Sequence, residues 1–79
     1  MKLLVRNLAR STTEQDIRKL FSDFGTVKEC TLVLDQETGQ SKGFAFVEMP
    51  DDAEAKTALN ALNMTSVAKS KIRVKAAQQ

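Results

Sequence analysis

The residues best suited to binding chemistry lie in one octapeptide, Lys42 to Met49. If this segment is a strand, alternate side chains point to opposite faces, which places Phe44 and Phe46 together on one face. Lys42 and Glu48 bound that face, so it is expected to meet water and to leave both rings exposed. Exposed aromatic rings beside a cation are suited to stacking on nucleic-acid bases and holding a phosphate. The alternative is that the sheet is covered on both faces and that Phe44 and Phe46 are core residues of a two-sided core.

Residue types that carry catalysis are scarce in the 79-residue chain. It has no histidine, the commonest acid–base residue, and its one cysteine, Cys30, is predicted to point inward from a strand as a small core residue. A single cysteine excludes an internal disulfide, and without histidine it offers no transition-metal site. We therefore predict a protein that is not an enzyme and needs no cofactor.

Length predicts one small domain, and the single cysteine suits a reducing compartment. The chain is long enough for a single core, and we assign residues 1–76 to the domain and 77–79 to a short C-terminal tail. The apolar run that precedes Arg6 is too short for a signal peptide, and no apolar run approaches the length of a membrane span. We expect a cytoplasmic protein with no membrane contact.

Capping residues and apolar periodicity predict two helices. Thr13 with Asp16 three residues later forms a capping-box pattern, and apolar residues at helical spacing follow it. Gly25 is predicted to end this first helix as a left-handed cap. Asp51 is the predicted N-cap of the second helix, whose apolar stripe runs to residue 62.

Four further segments, 3–8, 27–34, 42–49 and 71–75, have the composition of strands. In the second, Cys30, Leu32 and Leu34 share the predicted inner face. The order β-α-β-β-α-β is typical of the ferredoxin-like architecture, an α+β fold. With right-handed crossovers the antiparallel sheet should have the order 4-1-3-2, with both helices on one face. The other face is then open to solvent, and the octapeptide strand and the first strand are its central neighbours.

The predicted open face is basic, although the net charge of the chain is only +2. Its outward-pointing residues are six cations and two acids, a net charge of +4, which leaves −2 for the rest of the molecule. A basic sheet is typical of proteins that follow a single-stranded nucleic-acid backbone; the alternative is a polar face that only serves solubility. The cations are Lys2, Arg6, Lys42, Lys71, Arg73 and Lys75, and the acids are Glu29 and Glu48.

The octapeptide resembles the signature K/R-G-F/Y-G/A-F-V-x-F/Y of the RNA recognition motif family. Every defined position agrees except the last, where Met49 replaces an aromatic residue on the core-facing side. Residues 3–8 are similar to the family's motif on the first strand, residues 35–43 to its loop between the second and third strands, and residues 58–63 to the end of its second helix. The resemblance covers nearly the whole chain and is strongest to small, single-domain bacterial members.

The resemblance implies a role for each aromatic position on the open sheet. Phe46 would stack on a base, Phe44 would lie against sugars or between nucleotides, and Lys42 would meet a phosphate. The family's third aromatic residue belongs where this chain has Leu4, which can press against a base but has no π-face. Because base–aromatic stacking contributes about 1–3 kcal/mol per base, we expect micromolar affinity and weak sequence preference.

The remaining site candidates flank the aromatic pair. Arg6, Arg73 and Lys75 are predicted to contact phosphates or base edges, and Val33 to line the edge of the surface. The resemblance implies a single-stranded RNA partner; single-stranded DNA stays open, because no residue identifies a 2′-hydroxyl contact. We expect a monomer. The alternative is a protein-binding domain of the same fold with reduced RNA binding, for which Leu4 is the argument.

Overall fold

The computed structural model describes residues 1–77 and contains six strands and two helices in that range. In chain order these are β1 (Lys2–Arg6), α1 (Glu14–Ser22), β2 (Glu29–Leu34), β3 (Ser41–Glu48), α2 (Asp52–Leu62), β4 (Ser66–Val67), β5 (Ser70–Lys71) and β6 (Arg73–Ala76). The main sheet is antiparallel, with the order β2-β3-β1-β6. The predicted α+β fold and strand order are confirmed, with β6 as the fourth strand of the prediction.

Both helices begin where the sequence predicts, because side chains satisfy their free backbone N–H groups. The backbone N–H of Asp16 donates to Thr13 Oγ1 at 3.2 Å, and that of Thr13 donates to Asp16 Oδ2 at 3.1 Å. This is the reciprocal capping box of α1. At the start of α2, Asp51 Oδ1 accepts hydrogen bonds from the backbone N–H groups of Ala53 and Glu54.

The core lies between one face of the main sheet and the two helices. Alternate residues of β1 and β3 are fully buried on this face, among them Leu3, Val5, Ala45 and Val47. The helices contribute one apolar stripe each, led by Phe21 on α1. The small residues of the α2 stripe are Ala55 and Ala58. No helix or strand of the described residues covers the other face of β1 and β3, which is therefore the open face that the alternation predicts.

The end of α1 differs from the prediction. The helix ends at Ser22 and its C-cap, Asp23, is right-handed, so the prediction of a left-handed cap at Gly25 is wrong. Gly25 has a φ of 158°, close to extended backbone. Its missing side chain leaves room for Glu54, whose Oε1 accepts a hydrogen bond from the backbone N–H of Thr26 at 3.1 Å. This glycine thus serves the packing of α2 against the turn after α1.

The second strand also departs from its predicted pattern. The strand begins at Glu29 rather than at residue 27, and its pairing with β3 shifts between Leu32 and Leu34. Between these two positions β3 advances by four residues and β2 by two, so the pairing slips by two residues and Leu34 lies opposite Ser41. Leu34, predicted to point into the core, lies at the end of this strand and is 49% exposed. Cys30, upstream of the shift, is buried as predicted.

The connection after α2 contains a small hairpin, β4–β5, that was not predicted from the sequence. Its two turn residues, Ala68 and Lys69, have φ values of 52° and 69°. Two-residue turns with positive φ at both positions normally use Asn or Gly, so this turn has no recognisable sequence signal. Lys71 consequently belongs to β5, and the last strand of the main sheet begins at Arg73 rather than at residue 71.

Two further expectations concern the domain boundary and the absence of membrane-spanning segments. The proposed domain boundary at residue 76 stays a prediction: residues 78–79 of the predicted tail lie outside the described residues, and the N–H of Ala77 donates to the carbonyl of Lys2 at 2.8 Å. Among residues 1–77, neither helix has the length and apolar character that crossing a membrane requires.

Candidate nucleic-acid interface

The centre of the open face is built by the pairing of β1 with β3. Leu4 lies opposite Phe46 in this pairing, and Lys2 lies opposite Glu48. Because Leu3 and Val5 point into the core, Lys2, Leu4 and Arg6 must point the other way. The first strand and the octapeptide strand therefore present one shared surface.

Phe44 and Phe46 form an aromatic pair on this surface. Their ring centroids are 6.3 Å apart with an interplanar angle of 89°, an edge-to-face arrangement. Both side chains are half-buried, whereas Ala45 and Val47 on the opposite face are fully buried. The rings are thus supported by the sheet while keeping surface that a planar ligand can contact.

Lys2 is a component of the surface that the sequence analysis left outside the main site. Its Nζ lies 5.0 Å from the centroid of the Phe46 ring, in a cation–π contact. The signal was available in the strand register: Lys2 is two residues from Leu4, which pairs with Phe46, and diagonal neighbours in a sheet are within reach of long side chains. The contact places a cation beside the Phe46 ring.

Two arginines face each other on β1 and β6. Arg6 pairs directly with Arg73, and both side chains are exposed. Neither makes a salt bridge to any residue of the described range 1–77. Like charges directly opposite each other in a sheet repel. An anion between or above them would relieve this repulsion, so the pair is suited to binding a phosphate.

The other predicted cations and the edge residue lie around this centre. Lys75 is exposed and pairs with Leu4 across β1 and β6. Lys42 is exposed near the start of β3, next to the loop that joins β2 to β3. Val33 is half-buried on the edge strand β2, within the shifted segment. The structure thus places every predicted site residue on or beside one face of the main sheet.

The acids of the open face are gathered at the opposite end of the strands from the arginine pair. Glu29 pairs with Glu48 across β2 and β3, in the row that also contains Lys2. Lys28 Nζ lies 3.4 Å from Glu48 Oε2, which partly neutralises this carboxylate. The end that carries Arg6 and Arg73 is therefore the more basic part of the face.

Cys30 has the environment of a core residue rather than of a nucleophile. Burial, and secondarily the charge of Glu14, raises the pKa of its thiol. Its Sγ donates a hydrogen bond to the backbone carbonyl of Glu14 at 3.6 Å. A buried, protonated thiol is poorly reactive. In residues 1–77 no three Cys, Asp or Glu side chains are grouped as metal ligands.

The fold and this surface define a class of protein: a small ferredoxin-like α+β domain whose open sheet carries an aromatic pair among cations. The family model described as RNA recognition motif matches residues 3–73. The chain belongs to the RNA recognition motif family.

Sequence relatives and solved structures agree with this assignment. RbpF of Nostoc sp., whose name contains the term RNA-binding protein, is 44% identical over 63 residues, which is 80% of this chain and 60% of RbpF. The chain thus spans less than two thirds of that relative. The crystal structure of RNA-binding protein PG1 is 35% identical, with a TM-score of 0.96 over 100% of this chain and 95% of that one. A solved Sxl-lethal protein/RNA complex is 28% identical with a TM-score of 0.93, covering 99% of this chain and 47% of that one.

Proposed function

We propose that this protein binds short single-stranded RNA across its open sheet, without catalysis and as a monomer, in the cytoplasm. The observation that carries the proposal is the Phe44–Phe46 pair, held half-buried on a sheet face that also carries the facing arginines Arg6 and Arg73. Family membership favours RNA over DNA, and relatives are named for RNA binding or were solved with RNA.

Stacking supplies the sequence-independent part of the affinity. In the proposed complex one base stacks on Phe46, and the neighbouring nucleotide lies against Phe44, whose ring is 6.3 Å away and almost perpendicular. The edge-to-face arrangement gives the two rings different roles, because a base stacked on one of them cannot also lie parallel to the other. Each base–aromatic stack contributes about 1–3 kcal/mol.

The cations supply the electrostatic part. Arg6 with Arg73 offers one phosphate site, and Lys75 and Lys42 extend the basic surface on either side of the rings. If about three phosphates are neutralised, the logarithm of the association constant should fall with the logarithm of salt concentration at a slope of about −2.

Leu4 limits the affinity. It lies opposite Phe46, in the position where the family's third stacking residue is expected, and it offers an aliphatic surface only. We therefore propose micromolar affinity and weak sequence preference for most of the surface.

The test compares Phe46→Leu with Leu34→Ala by fluorescence anisotropy, using labelled U-rich tetranucleotides. Phe46→Leu keeps apolar volume but removes the π-face, so affinity should fall about 5- to 150-fold. Leu34 is an exposed apolar residue outside the proposed surface, and its variant should bind like the wild type. Unchanged binding by Phe46→Leu would refute the stacking mechanism. Binding that is insensitive to salt, or confined to protein ligands, would favour the protein-binding alternative.

A further inference from the structure

A cleft adjoins the open sheet at its Phe44 end, between the β1–α1 loop and the β2–β3 loop. Its volume is about 350 Å³, within the range of cavities that hold small ligands (about 300–1,000 Å³). Arg10, Asp35, Gln40, Lys42 and Phe44 are among the residues that line it. Because Phe44 belongs both to this cleft and to the aromatic pair, the cleft is continuous with the proposed RNA surface.

The cleft is lined both by hydrogen-bond donors and by a carboxylate. Arg10 Nη1 donates to Gln40 Oε1 at 3.4 Å, which orients the guanidinium and leaves its other N–H groups for a ligand. Asp35 Oδ1 accepts from the backbone N–H groups of Glu37 and Thr38 at 2.8 and 3.2 Å. Asp35 Oδ2 accepts no hydrogen bond from any residue of the described range.

The loop holds this carboxylate in place before any ligand arrives. The N–H of Asp35 donates to the carbonyl of Gln40 at 2.7 Å, and the N–H of Gly39 donates back to the carbonyl of Asp35 at 2.8 Å. Gly39 has a φ of 74°, which the closing turn requires. A carboxylate fixed in this way recognises a ligand without paying for loop ordering.

The donors and the carboxylate together fit a base edge better than a phosphate. A phosphate would be attracted by Arg10 and Lys42 but repelled by Asp35. A base edge with adjacent acceptors followed by a donor satisfies both sides, because an arginine fork binds the acceptors and the carboxylate binds the donor. Guanine and cytosine have this order of groups, whereas adenine and uracil alternate donors with acceptors. Guanine also has a second donor, its 2-amino group, next to the first.

We propose that this cleft is a guanine-selective subsite, in which Arg10 donates to O6 and N7 and Asp35 Oδ2 accepts from N1–H and the 2-amino group. The inference rests on the proposed RNA-binding function and adds sequence selectivity to one nucleotide position. The base in the cleft is a neighbour of the nucleotide that contacts Phe44, so the weak preference of the stacking surface and the selectivity of the cleft act on different nucleotides.

The experiment measures affinities for UUUU and for tetranucleotides with one guanosine at each position in turn. At one position guanosine should bind about tenfold more tightly than adenosine, uridine or cytidine. At that position inosine, which lacks the 2-amino group, and 7-deazaguanosine, which lacks N7, should each lose most of the gain. These comparisons use the wild-type protein, so they do not depend on the folding of a variant.

Two variants then distinguish the hydrogen bonds that Asp35 accepts from the general effect of removing one negative charge. Asp35→Asn retains an Oδ1 acceptor for the loop but replaces the free oxygen by an amide N–H₂, so the guanosine preference should disappear. Asp23→Asn makes the same change of charge at an exposed residue at the end of α1 and should keep the preference. Equal affinities for all four bases, or a preference that survives in Asp35→Asn, would overturn the subsite alone. Failure to bind any tetranucleotide would overturn the proposed function and the subsite with it.

Discussion

Leu4 and Phe46 face each other across the two central strands of the open sheet. One member of the pair can stack on a base and the other cannot, although both are half-buried at the same height on the face. In the proposed function, this surface is a stacking platform that has a leucine where a third ring would lie. This relationship accounts for the low affinity we propose and shows where affinity can be added.

Leu4→Phe should strengthen binding to U-rich tetranucleotides by about tenfold, since a second ring beside Phe46 adds a stacking partner. Isothermal titration calorimetry at fixed salt measures the change. The matched control is Leu34→Phe, which adds a ring at an exposed position outside the face and should leave affinity unchanged. No gain for Leu4→Phe would mean that RNA does not contact this part of β1.

Truncation of two phenylalanines on different sides of the sheet should lower the free energy of unfolding by different amounts. Phe21 is fully buried on α1, so Phe21→Ala should lower the free energy of unfolding by about 3–5 kcal/mol. Phe46 keeps part of its surface exposed, and Phe46→Ala should cost less, about 1–2 kcal/mol, while removing most RNA binding. Urea denaturation followed by circular dichroism gives both values. A comparable loss of stability in the two variants would instead support the two-sided core.

Replacing one of the two facing arginines should weaken RNA binding but raise the stability of the fold. Arg73→Gln removes one phosphate contact, so the slope of log K against log salt should become shallower by about 0.7. The same change removes cross-strand repulsion with Arg6 and should raise stability by about 0.2–1 kcal/mol. Lys56→Gln, on the exposed side of α2, is the control and should leave the slope unchanged. An unaltered slope for Arg73→Gln would exclude this arginine from phosphate binding.

The β2–β3 loop should loosen in acid. Hydrogen bonds from the backbone N–H groups of Glu37 and Thr38, aided by the charges of Lys42 and Arg10, hold the pKa of Asp35 below its ordinary value. A lowered folded-state pKa contributes stability above the unfolded value, about 3.9, and that contribution disappears as pH falls through the folded value. NMR shifts of the Asp35 carboxyl and the two amides should follow this titration. In Asp35→Asn the amides should not titrate; a wild-type midpoint at or above 3.9 would contradict the loop geometry.

Local patterns in the sequence predicted the parts of the fold that depend on local rules. Strict alternation from Lys42 to Met49 placed Phe44 and Phe46 on the open face, and the Thr13–Asp16 pattern placed the start of α1. These features depend on neighbours within three residues. The strand order followed from the element order and the handedness of crossovers.

The features that could not be predicted depend on contacts between distant segments. The register shift before Leu34 is a property of the β2–β3 pairing, and the space at Gly25 is filled by Glu54 from the other helix. The β4–β5 turn has a positive φ at Ala68, and alanine is not a residue type that indicates such a turn. The cation–π contact of Lys2 requires the register of β1 against β3, which no single strand encodes.

The measurement that tests the central claim most directly is an NMR titration of uniformly ¹⁵N-labelled protein with a short single-stranded RNA, repeated at two salt concentrations. Shift changes concentrated at Leu4, Phe44, Phe46 and Arg73, and weaker at high salt, are the predicted result. Residues on the outer surfaces of α1 and α2 should not move. Changes confined to the helices, or none at any RNA concentration, would contradict an RNA-binding open sheet.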